Sequence, residues 1–540
     1  MFCVNILFNS FYLVYLRMQG RKIFQPKTFY VASLDALVPQ DNLYRRLNRA
    51  IHLHFLYAST SKYYGTEGQE SLDPVVFFKM MLVGYLNNIN SDRKLLEYCA
   101  DSLAIRLYLG YDIDESLPWH STISRTRQLY GEEVFLSLFR EVLQLCIHKG
   151  MVRGKRQSVD SAYVKANASM DSLQEKSVLE DAADYASELN EHSEFKVKAS
   201  MKKAVEKHHA WKAKEYKGMP GHVDNPKQVD EHGHLIRPKY TSNHTHYSTT
   251  DSDARISVKP GKARQLNYSA QLSVDDKHHV ITGALADYAS KKDSDSLESI
   301  VLQAKESLAQ NDIAIEEVLA DAGYSSGKAL KYLEQANIAG WIPNHGQYKS
   351  EREGFVYNEE QNQYECQRGN KAILSYKGIR ADSKGYEKKT YRSSETTCGK
   401  CALREACCGK LTRFKKIDDS VDKPYYDRMH DRLTNNKSYA RRMVRLRSST
   451  VEPVLGTLIN FRNMKRVNTR GIQQANKHVL LAALTYNLHK YLRFLRQERK
   501  TSAHAMNIST KSMKKGLKTL LLSLFILTGT IPLEIARVNR

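Results

Sequence analysis

The sequence predicts a mixed α/β layer preceded by an all-helical region and interrupted by a small cysteine-rich insertion. Three observations predict it. Residues 35–150 carry helical apolar patterning with Ser, Thr and Asp at segment starts. From residue 151 to about 345 the order is strand, long excursion, hairpin, helix, strand, helix, strand, the pattern of a mixed sheet with flanking helices. Five of the eight cysteines then crowd into Cys366–Cys408.

In the helical region, "DPVVFFKMMLVGYLNN" is apolar all round and suits a buried helix. "SDRKLLEYCADSLAIRLYLGY" reads as an amphipathic helix capped at Ser91 or Asp92, with Gly110 near its end. In "LPWHSTISRTRQ", Ser121 or Thr122 can cap a short helix bearing Arg125 and Arg127, and a longer helix ends near Gly150. Short helices with a basic, capped member resemble a helix-turn-helix DNA binder. "KRQSVDSAYVKA" is β-branched and aromatic and predicts a strand. An acidic helix from Met170 follows, then a basic stretch over 195–218. Residues 219–264 read as a long loop. "LNYSAQLSVDDKHHVITGALAD" predicts a hairpin turning at Asp275–His278. "DSDSLESIVLQAKESLAQN" is a capped helix leading into the strand of "IEEVLADAGY". "GKALKYLEQANIAGWIPN" is a helix and a short strand, and helices return from 428 to about 497.

Lys and Arg number 82 against 59 acidic residues, a formal net charge of +23. An excess of that size points to a polyanion, bound through phosphate contacts and counterion release. The apolar run near the N-terminus lacks a preceding basic region, and Met18 makes a more natural start. The run Leu520–Leu533 is short for a bilayer and contains Pro532. The expectation is a cytoplasmic protein without a membrane partner, in which clustered cysteines suggest metal before disulfides.

Three carboxylates adjoin apolar structure. Asp160 lies within the strand "SVDSAYVKA", Asp321 ends "VLADAGY", and Glu452 lies on the apolar helix "SSTVEPVLGTLINF". Buried carboxylates need a counter-charge. Divalent cations supply it, and two of them can stabilise both oxygens of an in-line phosphoryl displacement. The alternatives are a turn residue at Asp160, an Asx turn at Asp321 and a helix N-terminus at Glu452.

At these residues the sequence resembles insertion-sequence transposases of the DDE class. "VDSAYVKANAS", "YSAQLSVDDKHHVITGALAD", "VLADAGYSS" and "TVEPVLGTLINFRNMKRVNTRG" are similar to their successive motifs. "LPWHSTISRTRQ" resembles their N-terminal domain and "HVLLAALTYNLHKYLRF" their closing segment, so the likeness spans roughly 18–497. It implies a ribonuclease H-like catalytic fold with Asp160, Asp321 and Glu452 as the acidic triad, holding two Mg²⁺ or Mn²⁺ ions. It also implies cleavage at the element's ends, joining to target DNA, double-stranded terminal repeats and target DNA as partners, and a homodimer on DNA. The relatives carry an Arg shortly before the Glu, which Arg447 matches. Their Lys seven positions after it is Ile459 here, with Arg462, Lys465 and Arg466 close behind, and their Tyr before the Arg is Val444.

The boundaries that follow are an extension over 1–17 and a helical DNA-binding domain over 18–150. The catalytic domain then runs over 151–345 and 428–497 around a cysteine-rich insertion at 346–427, with a basic and apolar tail over 498–540. Cys398 and Cys401 form a CxxC pair, and Cys366 with Cys407 or Cys408 can complete a structural Zn²⁺ site, with Cys407 preferred. Arg441, Arg442, Arg445 and Arg447, on a run leading into Glu452, suit a phosphate-tracking surface, as do Arg125 and Arg127. Two other functions fit the same residues: a catalytically decayed DNA-binding repressor and a non-specific ribonuclease H-like nuclease.

Overall fold

The computed structural model describes residues 33–64, 71–175, 242–243, 246–258, 263–346, 348–382 and 385–498. The expected extension at 1–17, the basic stretch 195–218, most of the acidic helix and of the 219–264 loop, and the tail after 498 lie outside the described residues.

The chain opens with helices α1 (Leu34–Leu37), α2 (Leu43–Ala50), α3 (Phe55–Thr60), α4 (Pro74–Leu86), α5 (Asp92–Ala100), α6 (Leu103–Leu109), α7 (His120–Leu129) and α8 (Glu132–His148). Their starts follow local chemistry. Asp73 accepts from the Val75 and Val76 N–H groups ahead of α4, with Pro74 in the first turn where its missing donor costs nothing. The segment expected as one helix over 91–110 is two. Ser91 caps α5, Ser102 caps a second start, and Gly110 at φ +87° ends α6. The cap of α7 is Trp119, without a side-chain bond, in place of Ser121 or Thr122.

The central sheet contains β1 (Arg156–Lys165), β4 (Arg255–Ser257), β5 (Gln265–Asp275), β6 (Ile281–Tyr288), β7 (Glu317–Leu319) and β8 (Ala339–Trp341). Across it the order is β6, β5, β1, β7, β8, with β4 also on β5. β5 runs antiparallel to β1, β4 and β6, while β1, β7 and β8 are mutually parallel. A parallel neighbour needs a crossover, and α9 (Asp293–Ala309) and α10 (Gly327–Gln335) provide them. A two-stranded ladder joins β2 (Leu173–Glu175) to β3 (His246–Ser248). The acidic segment from Met170 therefore opens as a single turn and a short strand, and the stretch expected as loop contains β3 and β4.

Between β8 and the last helices lies a five-stranded antiparallel sheet: β9 (Phe355–Asn358), β10 (Gln363–Cys366), β11 (Ile373–Ala381), β12 (Glu387–Ser393) and β13 (Lys416–Ser420). Short helices α11 (Glu395–Gly399) and α12 (Arg404–Cys408) interrupt it. Its small core is Tyr364, Leu374, Tyr391 and Ile417. Helices α13 (Lys423–Asn435), α14 (Lys437–Phe461) and α15 (472–498) close the described chain.

One continuous apolar core runs from Tyr44 in α2 through the sheet to Leu492 in α15. Asn487 pairs its side-chain amide with both backbone groups of Ile281, and Asn476 bridges the Ala286 N–H to Glu132 of α8. These amides hold α15 between the N-terminal helices and the sheet. Among the described residues no helix is long and apolar enough to cross a membrane.

Candidate active site at the strand ends

The register of β1 against β7 positions two carboxylates. Arg156 pairs with Glu317, Gln157 with Val318 and Ser158 with Leu319. Continued by two residues, the same offset would bring Asp160 level with Asp321, just past the end of β7, and the Asp321 charge acts on Asp160. Asp321 stands just past the last residue of β7. One of its oxygens accepts the Gly323 N–H at 2.9 Å, closing an Asx turn that starts the single turn Ala322–Tyr324. A Cβ at Gly323 would stand 3.0 Å from the Asp321 carboxylate, which would have to give by a few tenths of an ångström.

Helix α14 supplies the third carboxylate and a cation. Two anchors show that it runs alongside β1 in the same direction. Near its start, the Tyr439 hydroxyl donates to Glu317 and accepts from Arg156 at the base of β1. Arg156 also pairs with Glu317 and Asp276. Eight residues later, about 12 Å along the helix, Arg447 meets Asp160, about 13 Å along the strand. Arg447 Nη1 lies 2.7 Å from Asp160, and its Nη2 lies 3.5 Å from Glu452. Glu452 stands a further turn and a half on. It is off the buried stripe of Val451, Val454, Leu455 and Leu458, and its side chain is 59% exposed. Helix α14 continues through Glu452 and Pro453, so Glu452 lies mid-helix rather than at a helix start.

Electrostatics at Asp160 are opposed. Its side chain is 16% exposed. Burial pushes the carboxyl above the ordinary carboxylate range, the Ser161 N–H and Arg447 pull it back, and the charge of Asp321 raises it again. On the other face of β1, Tyr324 is fully buried and donates to Gln271 Oε1 at 2.5 Å, and Gln271 Nε2 donates to Asp293 at 3.0 Å. Burial raises the Tyr324 phenol well above its usual range, and the charges of Asp293, Asp160 and Asp321 add to it. Asp293 therefore belongs to the same neighbourhood. Its signal in the sequence was the acidic start "DSDS" of α9, which reads equally as a helix terminus.

The structure separates the expected phosphate-binding residues. Arg125, Arg441, Arg442, Arg445, Lys465 and Arg466 are exposed. Arg127 is not: it is 6% exposed and forms a bidentate pair with Asp92 at 2.6 and 3.0 Å. Arg462 is half-buried and spent internally, donating to the Leu86 and Phe461 carbonyls and reaching His489. It cannot replace the basic group absent at Ile459, which packs against the core. Arg447 is committed to Asp160 and Glu452.

The cysteines form a second locus. Cys366, Cys398, Cys401, Cys407 and Cys408 line one cavity of about 430 Å³. Gly369, at φ +56°, admits the Cys401 thiol, which would lie 2.5 Å from a Cβ there. Cys366 donates to the Arg368 carbonyl and Ser393 donates to Cys398. Burial, then the neighbouring Cys407, pushes the Cys408 thiol up to about 11. The donor chemistry suits Zn²⁺ here, as carboxylates suit a hard cation at the strand ends. Among the described residues, however, no three His, Cys, Asp or Glu side chains are grouped tightly enough to ligate an ion. At the strand ends Arg447 contacts both Asp160 and Glu452.

Two family models match the chain. "Transposase domain (DUF772)" covers residues 32–129, the helical region, and "Transposase DDE domain" covers residues 365–492, from the five-stranded sheet through Glu452 into α15. The second stops short of the strands bearing Asp160 and Asp321. No curated protein matches. Among solved structures, "Mos1 transposase paired-end complex with left transposon end" is similar at 9% identity and a TM-score of 0.15, over 57% of this chain and 73% of that one. Both matched domains are transposase domains, the second of the DDE class.

Proposed function

We propose that this chain is the transposase of a bacterial insertion sequence, which cuts the ends of its element and joins them to target DNA. The observation that carries this reading is the convergence at the strand ends. Asp160 on β1 and Asp321, just past the end of the parallel neighbour β7, are close enough for their charges to interact, and Arg447 links Asp160 to Glu452. The sheet order β6, β5, β1, β7, β8, with its first three strands antiparallel, supports a ribonuclease H-like core. Asp160 and Asp321 would hold divalent cations, Mg²⁺ or Mn²⁺, with Glu452 joining them, and such cations when bound polarise a phosphodiester and activate water. The chain's own residues do the rest. Burial and like charge at Asp160 and Asp321 create a demand for positive charge, which Arg447 meets when no cation is bound. Arg441, Arg442 and Arg445, exposed on the same helix, provide phosphate contacts leading to the site. Pairing of two element ends calls for two copies on DNA.

The test is cleavage of a duplex carrying the DNA that flanks the coding region. Wild type nicks it in Mg²⁺. Asp160→Ala, Asp321→Ala and Glu452→Ala each lower cleavage about 10³-fold, since several kcal/mol of charge stabilisation are lost, while duplex binding is retained. Cleavage by Asp321→Ala at the wild-type rate would refute the triad. A catalytically silent DNA-binding protein is the second reading. Arg447 closed on Asp160 and Glu452 favours it, and the wild-type assay separates the two.

A further inference from the structure

Beyond Glu452 the structure holds a cleft that the acidic site does not use. It encloses about 770 Å³ and is lined by the far half of β1, the end of α14 with the segment after it, the tips of β4 and β5, and the loop between α4 and α5. We propose that this cleft is a track for one DNA strand as it leaves the carboxylates, held by Lys165, Lys465 and Arg466. The proposal rests on the transposase reading and names the part of the DNA that this surface takes.

Three observations support it. The first is charge: Lys165, Lys465 and Arg466 line the cleft, and no carboxylate does so among the described residues. Both lysines are exposed, and among the described residues neither has an acidic partner. The second is the floor. β7 pairs with β1 only as far as Ser158, and the next contact along that edge is the bridge from Lys165 to Arg466. The edge of β1 between them has no strand partner among the described residues. It starts at Val159, beside Asp160, and ends where the Lys165 backbone bonds those of Lys465 and Val467.

The third observation is rigidity. Asn88 donates to the Asn460 carbonyl and accepts from the Asn463 N–H. Asn90 donates to the Arg466 carbonyl, and Asn468 returns a bond to Asn90. These amides fix the α4–α5 loop against the segment that carries Lys465 and Arg466. The backbone that carries Lys465 and Arg466 is therefore fixed before any strand arrives, which lowers the ordering cost of binding.

Length gives the reach. Asp160 and Lys165 are five residues apart, about 17 Å of strand. Along a duplex axis one strand advances about 3.4 Å per nucleotide, so a strand still in duplex geometry meets Lys165 about five nucleotides from the cleaved bond.

The experiment measures binding of the flanking-DNA duplex as a function of salt. Each phosphate contact contributes about 0.9 to the slope of log affinity against log salt. Lys165→Gln and Lys465→Gln should each reduce the slope by about 0.9, and Lys165→Arg should retain it. Lys305→Gln, on the outer face of α9, serves as the control and should leave it unchanged. A duplex with a neutral methylphosphonate about five nucleotides from the cut should reduce the wild-type slope and add nothing to Lys165→Gln. If wild type binds and both Gln variants keep its slope, the cleft proposal is wrong and the transposase reading stands. A wild type that binds no duplex overturns the DNA reading itself.

Discussion

Arg447 decides what the acidic site is at the level of single residues. Asp160 is largely buried beside Asp321, and Arg447 supplies its charge partner at 2.7 Å. Arg447→Gln should therefore destabilise the protein by about 3 kcal/mol without divalent ions, the scale for stranding a buried charge. Millimolar Mg²⁺ should then raise the melting temperature of Arg447→Gln more than that of wild type, because a bound cation replaces the lost charge. Equal shifts would mean that these carboxylates do not take an ion. Arg127 makes the contrasting case. The sequence shows a basic residue on a short helix, but its partner Asp92 lies 35 positions earlier. No local pattern reveals that pairing, so an arginine read as DNA-facing turns out to be internal. Arg127→Met should cost about 3 kcal/mol by stranding Asp92, measured by urea unfolding, while Arg125→Met should leave stability within about 0.5 kcal/mol.

At the scale of elements, legibility followed burial. β1, β5 and α9 are dense in apolar residues packed on a neighbouring layer, and their spans were readable from periodicity alone. Asp160 and Asp321 were visible because each interrupts such a run. How they meet was not visible, since it depends on a register set by residues 161 positions apart. The five-stranded sheet was hidden for the opposite reason. Only Tyr364, Leu374, Tyr391 and Ile417 form its core, and β11 is largely exposed, so the stretch reads as polar insertion. A sheet with so small a core needs another source of stability. The five cysteines around one cavity fit that need. Metal analysis of protein purified without chelator should give about one zinc per chain. Cys398→Ser with Cys401→Ser should remove it and expose the segment between 346 and 427 to protease. Zinc-free wild type of undiminished stability would count against a metal here.

For the whole molecule, the decisive feature is that the helical region and the sheet share one core. Composition and motif order suggest separable domains, yet Tyr85 of α4 donates to His478 Nδ1 at 2.6 Å, and His478 Nε2 donates to the Asn463 carbonyl at 2.9 Å. His478 is thus the junction between the N-terminal helices, α15 and the segment after α14. Accepting at Nδ1 requires the neutral ring, and burial pushes its pKa down to about 4 against the Asn463 carbonyl, which favours the proton. An unfolded histidine titrates near 6.5. Between pH 6.5 and 4 the unfolded chain takes up a proton that the folded chain refuses, so stability falls as pH drops through that window. The slope from this residue is about 1.4 kcal/mol per pH unit. His478→Gln, stable or not at pH 7, should lose that part of the slope when urea midpoints are compared at pH 7, 6 and 5. Because the core is continuous, Trp341 fluorescence in the sheet and protease sensitivity within 71–150 should report the same midpoint at every pH. If the helical region opened first while Trp341 stayed native, the junction would not be coupling the two, and the cleft walls that depend on it would not be rigid.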